Sequence, residues 1–174
     1  MSALVVNLFA GPGCCKSTTM AHVFAELKWK GIVAEMATEY AKDMVWSDAI
    51  AVLDDQVYVF GKQHHRVFRL HDKVEVIVTD SPFLLSLVYD QDHSKPLHDL
   101  AIEKYNNYDN LNFFLLRRKG YKTEGRTQTE EEAIEKDNQV MKVLNDNRID
   151  YTAIEGARES VPTIVKAIWD RLNK

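Results

Sequence analysis

The chain reads as an α/β protein, a parallel β-sheet with helices packed on both faces. Three observations predict this. Short apolar runs of strand length alternate with segments of helical period. One run, Val74-Glu75-Val76-Ile77-Val78-Thr79, has the β-branched content of a strand buried on both sides. The earliest run, Leu4–Phe9, passes through a glycine-containing turn straight into a helical segment, as strands of such sheets do.

The elements follow in order. Strand one is Leu4–Phe9. Helix one runs from Ser17 to about Lys30 with Met20, Phe24 and Leu27 on one face, and Gly31 ends it. Strand two is Ile32–Ala37, followed by a loop or short helix through Asp43. A long helix spans Asp48–Leu70, with Leu53, Val57, Phe60, His64 and Val67 at helical spacing; Gly61 marks a bend or a close contact. Strand three is Val74–Thr79. Pro82 forces a turn, Leu84–Tyr89 begins a helix, Asp90–Pro96 is loop, and Leu97–Tyr108 is helix. Strand four is Asn112–Arg118 and Gly120–Thr129 a loop. Thr129-Glu130-Glu131-Glu132 has the spacing of a capping box and opens a helix to about Asn147. Tyr151–Ile154 is strand five, broken by Gly156. Ser160–Leu172 is the last helix, with Val161, Ile164, Val165, Ile168 and Leu172 inward.

Composition bounds the rest. A length of 174 residues suits one domain, residues 1–174, and 45% hydrophobic with 28% charged residues is globular. No apolar run approaches a membrane span and no signal-peptide pattern precedes strand one. The two cysteines, Cys14 and Cys15, are adjacent, which rules out a disulfide framework and leads us to expect a reducing, cytoplasmic setting. A net charge of −4 argues against broad wrapping of nucleic acid, although the stretch from Arg117 to Arg126 is locally basic.

The turn after strand one carries the chemistry. Ala10-Gly11-Pro12-Gly13-Cys14-Cys15-Lys16-Ser17-Thr18 follows the order of a phosphate-binding loop, in which backbone N–H groups at a helix start receive an anion. Lys16 is expected on the β- and γ-phosphates of ATP and Ser17 on Mg²⁺; Thr18 either reaches the α-phosphate or is a plain helix residue. Aligned on Lys16-Ser17, the framing glycines of G-x-x-x-x-G-K-[ST] fall on Ala10 and Cys15, while Gly11 and Gly13 lie inside. A Cβ at Cys15 crowds the loop and resists a positive φ.

Further residues fall around the same strand ends. Asp80 closes strand three and is expected to hold Mg²⁺ directly or through water. Glu39, after strand two, suits a general base that takes a proton from an acceptor hydroxyl; Asp43 and Asp80 remain alternatives for that task. Arg117, Arg118 and Arg126 flank the loop after strand four, and Arg126 and Arg118 are the candidates for a catalytic arginine. Gln63 and Arg66, on the long helix, and Tyr40 are candidate contacts to the acceptor, by base edge, phosphate or stacking. His64 and His65 diverge on a helix and lack a partner at ligand spacing, so no structural zinc site is expected.

Taken together, Phe9–Gly13, Lys16-Ser17-Thr18, Thr38-Glu39-Tyr40-Ala41-Lys42-Asp43 and Thr79-Asp80-Ser81-Pro82 resemble the small P-loop kinases, and the ATPase/kinase domains of bacteriophages in particular. The Glu-Tyr-Ala element is also similar to the kinase domain that phosphorylates nicotinamide riboside. The resemblance implies a three-layer P-loop NTPase fold with five parallel strands in the order 2-3-1-4-5 and a lid after strand four. It places Glu39 at the catalytic carboxylate position. It implies ATP and Mg²⁺ as cofactors and a nucleoside-like acceptor, free or in DNA. Some phage relatives phosphorylate 5-hydroxymethyluracil within DNA, which requires a displaced base. A free nucleoside or nucleoside monophosphate is the alternative acceptor. A nucleotide-binding regulatory module with little turnover is a reading of another class. A homodimer is compatible with the sequence.

Overall fold

The structure is a computed structural model that describes residues 2–118 and 129–174. These residues form a five-stranded, all-parallel sheet in the order β2-β3-β1-β4-β5, as the resemblance implied. β1 (Leu4–Phe9) is buried along its whole length and lies between β3 (Val76–Thr79) and β4 (Asp109–Leu116); β2 (Ala34–Ala37) and β5 (Thr152–Glu155) are the edges.

Because side chains alternate across a strand, β1 feeds two cores. Leu4, Val6 and Leu8 pack with Met20, Val23 and Leu27 of α1 (Lys16–Trp29) and with Val161, Ile164, Val165 and Ile168 of α7 (Val161–Leu172). Val5 and Phe9 face the other layer. That layer is built from α3 (Gln56–Phe68), α5 (Lys95–Asn106) and α6 (Glu130–Asp146), through Phe60, Val67, Leu97, Ala101, Val140 and Leu144.

Caps set the boundaries, and they explain where sequence and structure differ. Gly31 adopts φ 78 after α1, and Ile32 N–H donates to Leu27 C=O at 3.0 Å while Gly31 N–H donates to Lys28 C=O at 3.0 Å. This left-handed cap uses Ile32 as its apolar anchor, so strand two starts at Ala34 and not at Ile32. The predicted Asp48–Leu70 helix is two pieces, a 3₁₀ turn over Ile50–Asp54 and then α3. Asp55 divides them by accepting Tyr58 N–H at 3.0 Å as an N-cap. A Cβ on Gly61 would meet nothing within 4 Å, so that glycine makes no close contact. Ahead of α3, α2 covers Tyr40–Trp46. Strand three begins at Val76, and the segment after Pro82 is a 3₁₀ turn, Phe83–Leu85, running into α4 (Ser86–Tyr89).

Strand four starts three residues earlier than expected, at Asp109, and ends at Leu116. Asparagine is a poor strand former, but here Asn110 and Asn112 accept from the Asn7 amide across the ladder, at 2.9 and 3.0 Å. The capping box at Thr129 is present: its hydroxyl accepts Glu132 N–H at 3.2 Å and Glu132 accepts Thr129 N–H at 2.7 Å. The expected lid lies mostly outside the described residues. No helix among the described residues is long and apolar enough to cross a membrane.

Candidate functional site

The carboxyl ends of the strands form one rim, and the turn after β1 occupies its middle. Gly13 (φ 88) and Cys15 (φ 59) both sit in the left-handed region. For Cys15 this is strained, costing roughly 1–2 kcal/mol; the loop does demand the conformation that a glycine would supply freely. α1 starts at Lys16 with no side-chain cap and no acid in its first turn. The leading N–H groups of a 14-residue helix are thus left for an incoming anion. Lys16 folds back over the loop, its Nζ donating to Ala10 C=O at 2.9 Å and Gly11 C=O at 2.8 Å. Ser17 is half-buried and Thr18 exposed on the first turn.

Asp80 follows β3 directly. Thr79, its predecessor, pairs in register with both Asn7 of β1 and Ala37 of β2, so Asp80 stands between the phosphate loop and the segment after β2. The residue is only 2% exposed, and its Oδ1 has no hydrogen-bond partner among the described residues. A buried carboxylate left incomplete in this way is costly, and a cation is the partner that fits an anionic oxygen donor.

Glu39 occupies the N-cap position of α2 but its side chain caps nothing. Burial raises its pKa above the ordinary carboxylate value; the Lys16 ammonium acts against that rise and the Asp80 carboxylate adds to it. Lys16 and Asp80 therefore each lie close enough to act on the Glu39 carboxyl. Asp43 is ion-paired to Arg66 instead. Arg66 also donates to the Thr38 hydroxyl at 2.7 Å and Thr38 C=O at 3.1 Å, and its guanidinium lies 5.5 Å from the Tyr40 ring centre. Gln63, buried, accepts Tyr40 N–H at 2.9 Å and donates to Thr38 C=O at 3.2 Å. Gln63 and Arg66, expected to read the acceptor, thus grip the backbone on either side of Glu39. Tyr40 meets Tyr58 edge-on at 5.9 Å, and Trp46 is 70% exposed, outside the core.

The arginines divide. Arg118 is exposed and 3.9 Å from Glu159, and Arg126 lies outside the described residues. Arg117 turns inward. Its Nε donates to Asp137 at 2.7 Å, and its Nη2 donates to Pro12 C=O at 2.8 Å and Ala133 C=O at 3.1 Å. Asp137, on α6, also accepts Gly11 N–H at 2.6 Å, with the Cys14 sulfur 3.5 Å away. Burial first, and then the Asp137 carboxylate, push the Cys14 thiol up to about 12. Sequence reasoning passed over Asp137. The signal was its spacing: it shares a helix face with Ala133, Val140 and Leu144, all buried.

Two glycines record how tightly the loop is enclosed. A Cβ on Gly11 would lie 2.8 Å from both Ala133 O and Asp137 Oδ1, and one on Gly156 would lie 2.5 Å from Cys14 O. The loop is pressed between α6 and the turn after β5.

The sheet order, with the phosphate loop and Asp80 on adjacent strand ends, defines a P-loop NTPase fold. A family profile described as an AAA domain matches residues 5–161, and the chain belongs to that family. Among solved structures the chain is similar to a NadR protein in complex with NR, with TM-score 0.73 and 15% identity over 97% of this chain. The match covers 50% of the NadR chain, so this protein spans half its length. It is also similar to deoxyadenosine kinase from M. mycoides with bound dATP, with TM-score 0.56 and 18% identity, covering 98% of this chain and 100% of that one. At these identities the likeness is one of fold. No curated protein matches the sequence.

Proposed function

We propose that the protein is an ATP-dependent phosphotransferase that moves the γ-phosphoryl group of Mg-ATP to a hydroxyl of a nucleoside-like acceptor. The observation that carries this is the meeting at one rim of Lys16, an Asp80 oxygen without a hydrogen-bond partner among the described residues, and the pKa-raised Glu39, beside an uncapped helix start. In this reading Lys16 exchanges its two carbonyl partners for phosphate oxygens, and the first-turn N–H groups of α1 hold the polyphosphate. Ser17 and Asp80 would hold Mg²⁺, which draws charge off the phosphate oxygens. Glu39 accepts the acceptor's hydroxyl proton as the new O–P bond forms and the bond to the ADP oxygen breaks. Its raised pKa suits a base that holds the proton through the step. Gln63 and Arg66 fix the Glu39 segment, and Tyr40 lies beside it as a stacking surface for the acceptor.

One structural neighbour is a deoxyadenosine kinase with bound dATP, which supports that acceptor class. The finer choice lies between a free nucleoside or nucleoside monophosphate and 5-hydroxymethyluracil in DNA. Incubation with Mg-[γ-³²P]ATP and a panel of nucleosides, nucleotides, 5′-hydroxyl oligonucleotides and hydroxymethyluracil DNA tests the reading, with Lys16→Ala as control. Label passing to one acceptor class, and lost in the control, is the expected result. Nucleotide binding without transfer to any acceptor would point to the regulatory module instead.

A further inference from the structure

We propose that Asp137 and Arg117 are positioning residues for the phosphate loop, a buried ionic clamp that sets the loop's shape independently of Lys16. The inference rests on the reading of that loop as the polyphosphate site.

The loop contains two left-handed residues, one of them non-glycine, and such conformations persist only where surrounding structure over-determines them. Lys16 supplies two bonds that brace the loop from within, to Ala10 C=O and Gly11 C=O. Those bonds are surrendered once the ammonium turns to phosphate, so a second support has to remain. The clamp is that support. Asp137 takes Gly11 N–H and lies beside the Cys14 thiol, and Arg117 takes Pro12 C=O. The carboxylate and guanidinium are joined to each other at 2.7 Å, and their side chains are 11% and 12% exposed. Both therefore act on backbone atoms of the loop from outside it.

The fold explains why these two positions serve. Arg117 follows β4 immediately and Asp137 lies on α6, so the clamp ties the loop to the elements on either side of residues 119–128. α6 is itself registered against the Asp80 side of the rim. Lys136, next to Asp137, donates to Val88 C=O at 3.2 Å and lies 5.1 Å from the Tyr89 ring centre, both on α4. Gly11 allows the approach, since any Cβ there would collide with the α6 backbone.

A buried ion pair is a poor source of stability, because desolvation offsets most of the attraction, and an apolar pair of similar volume often serves as well. This separates positioning from mere structure. The double variant Asp137→Leu/Arg117→Met removes both charges together and leaves neither unpaired. We expect it to stay folded, the relieved desolvation of the two charges being set against the Gly11 N–H it leaves without an acceptor, yet to bind a fluorescent non-hydrolysable ATP analogue with Mg²⁺ roughly ten- to a hundredfold more weakly. Its KM for ATP should rise in step while the KM for the acceptor stays unchanged. Asp137→Asn, which keeps the shape and one acceptor for Gly11 N–H, carries the same test should the double variant fail to fold; it should weaken the analogue in the same direction. A folded variant that binds the analogue as tightly as wild type overturns the inference and leaves the phosphate-loop reading intact. Wild-type protein that binds no analogue overturns both.

Discussion

Asn7 and Asp80 are close neighbours with opposite fates. Each is 2% exposed, and Asn7 pairs in register with Thr79, the residue before Asp80. The Asn7 amide nitrogen has acceptors in Asn110, Asn112 and Val5 C=O. Asn112 continues the chain of bonds: its oxygen accepts Tyr105 O–H at 3.0 Å and its nitrogen donates to Asp150 C=O at 2.9 Å. One Asp80 oxygen has no partner among the described residues. Inside the sheet, polar groups are satisfied by one another and hold strands in register; at its rim, one is left incomplete. The first arrangement specifies the fold, and the second is affordable only if something else completes it.

The comparison breaks most visibly at Asp80. Asp80→Asn should lower phosphate transfer roughly a hundredfold or more, while the protein melts no lower than wild type because a buried charge has been removed. A transfer assay and a thermal melt on the same sample check it. An undiminished rate would leave Asp80 without a role at the rim, and a large loss of stability would mean its carboxylate is structurally satisfied after all.

Asn112→Ala should do the reverse. It strands the buried Tyr105 hydroxyl and takes one of three acceptors from the Asn7 amide nitrogen, and about 2 kcal/mol of stability should be lost in denaturant unfolding. Transfer per folded molecule should stay within about twofold, since the network contributes no group to the rim. A specific loss of rate without loss of stability would erase the distinction between the two regions.

The smallest effect sharpens the comparison through pH. Because burial raises the Glu39 pKa, the folded chain holds that proton more tightly than the unfolded chain does. Stability from this group is complete below the ordinary carboxylate pKa and is lost as pH rises through the raised one. Glu39→Gln removes the slope. Relative to wild type, the variant should gain stability as pH rises across that window and then hold level. Unfolding curves at a series of pH values measure this, and a difference that never changes with pH would mean the carboxyl titrates as if in water.

Much of this was written plainly in the sequence. Strand–helix alternation and the motifs at Lys16, Glu39 and Asp80 placed three residues at the ends of adjacent strands, because in a parallel sheet those ends share one edge. The Thr129 cap and the Gly31 stop were legible since caps are local chemistry. What escaped depended on distant partners. Nothing near Asp55 announces that its side chain will interrupt a helical period. Asn110 and Asn112 look like loop residues until Asn7 lies across from them. Asp137 resembles a solvated helix carboxylate until Gly11, 126 positions away, and Arg117 come to meet it. Gln63 and Arg66 were visible as polar residues near the cleft, but their grip on Thr38 and Tyr40 was not.

The position of β1 carries a consequence for how the molecule is made. It is made before the other four strands of the sheet and lies at its centre, with Leu4 set between Val76 and Asp109. At ~5–20 residues per second, its second neighbour follows on the order of ten seconds later. Until β3 emerges the nascent chain carries a mostly apolar strand with two open edges, and until β4 follows one of them stays open, free to stick to whatever strand it meets first.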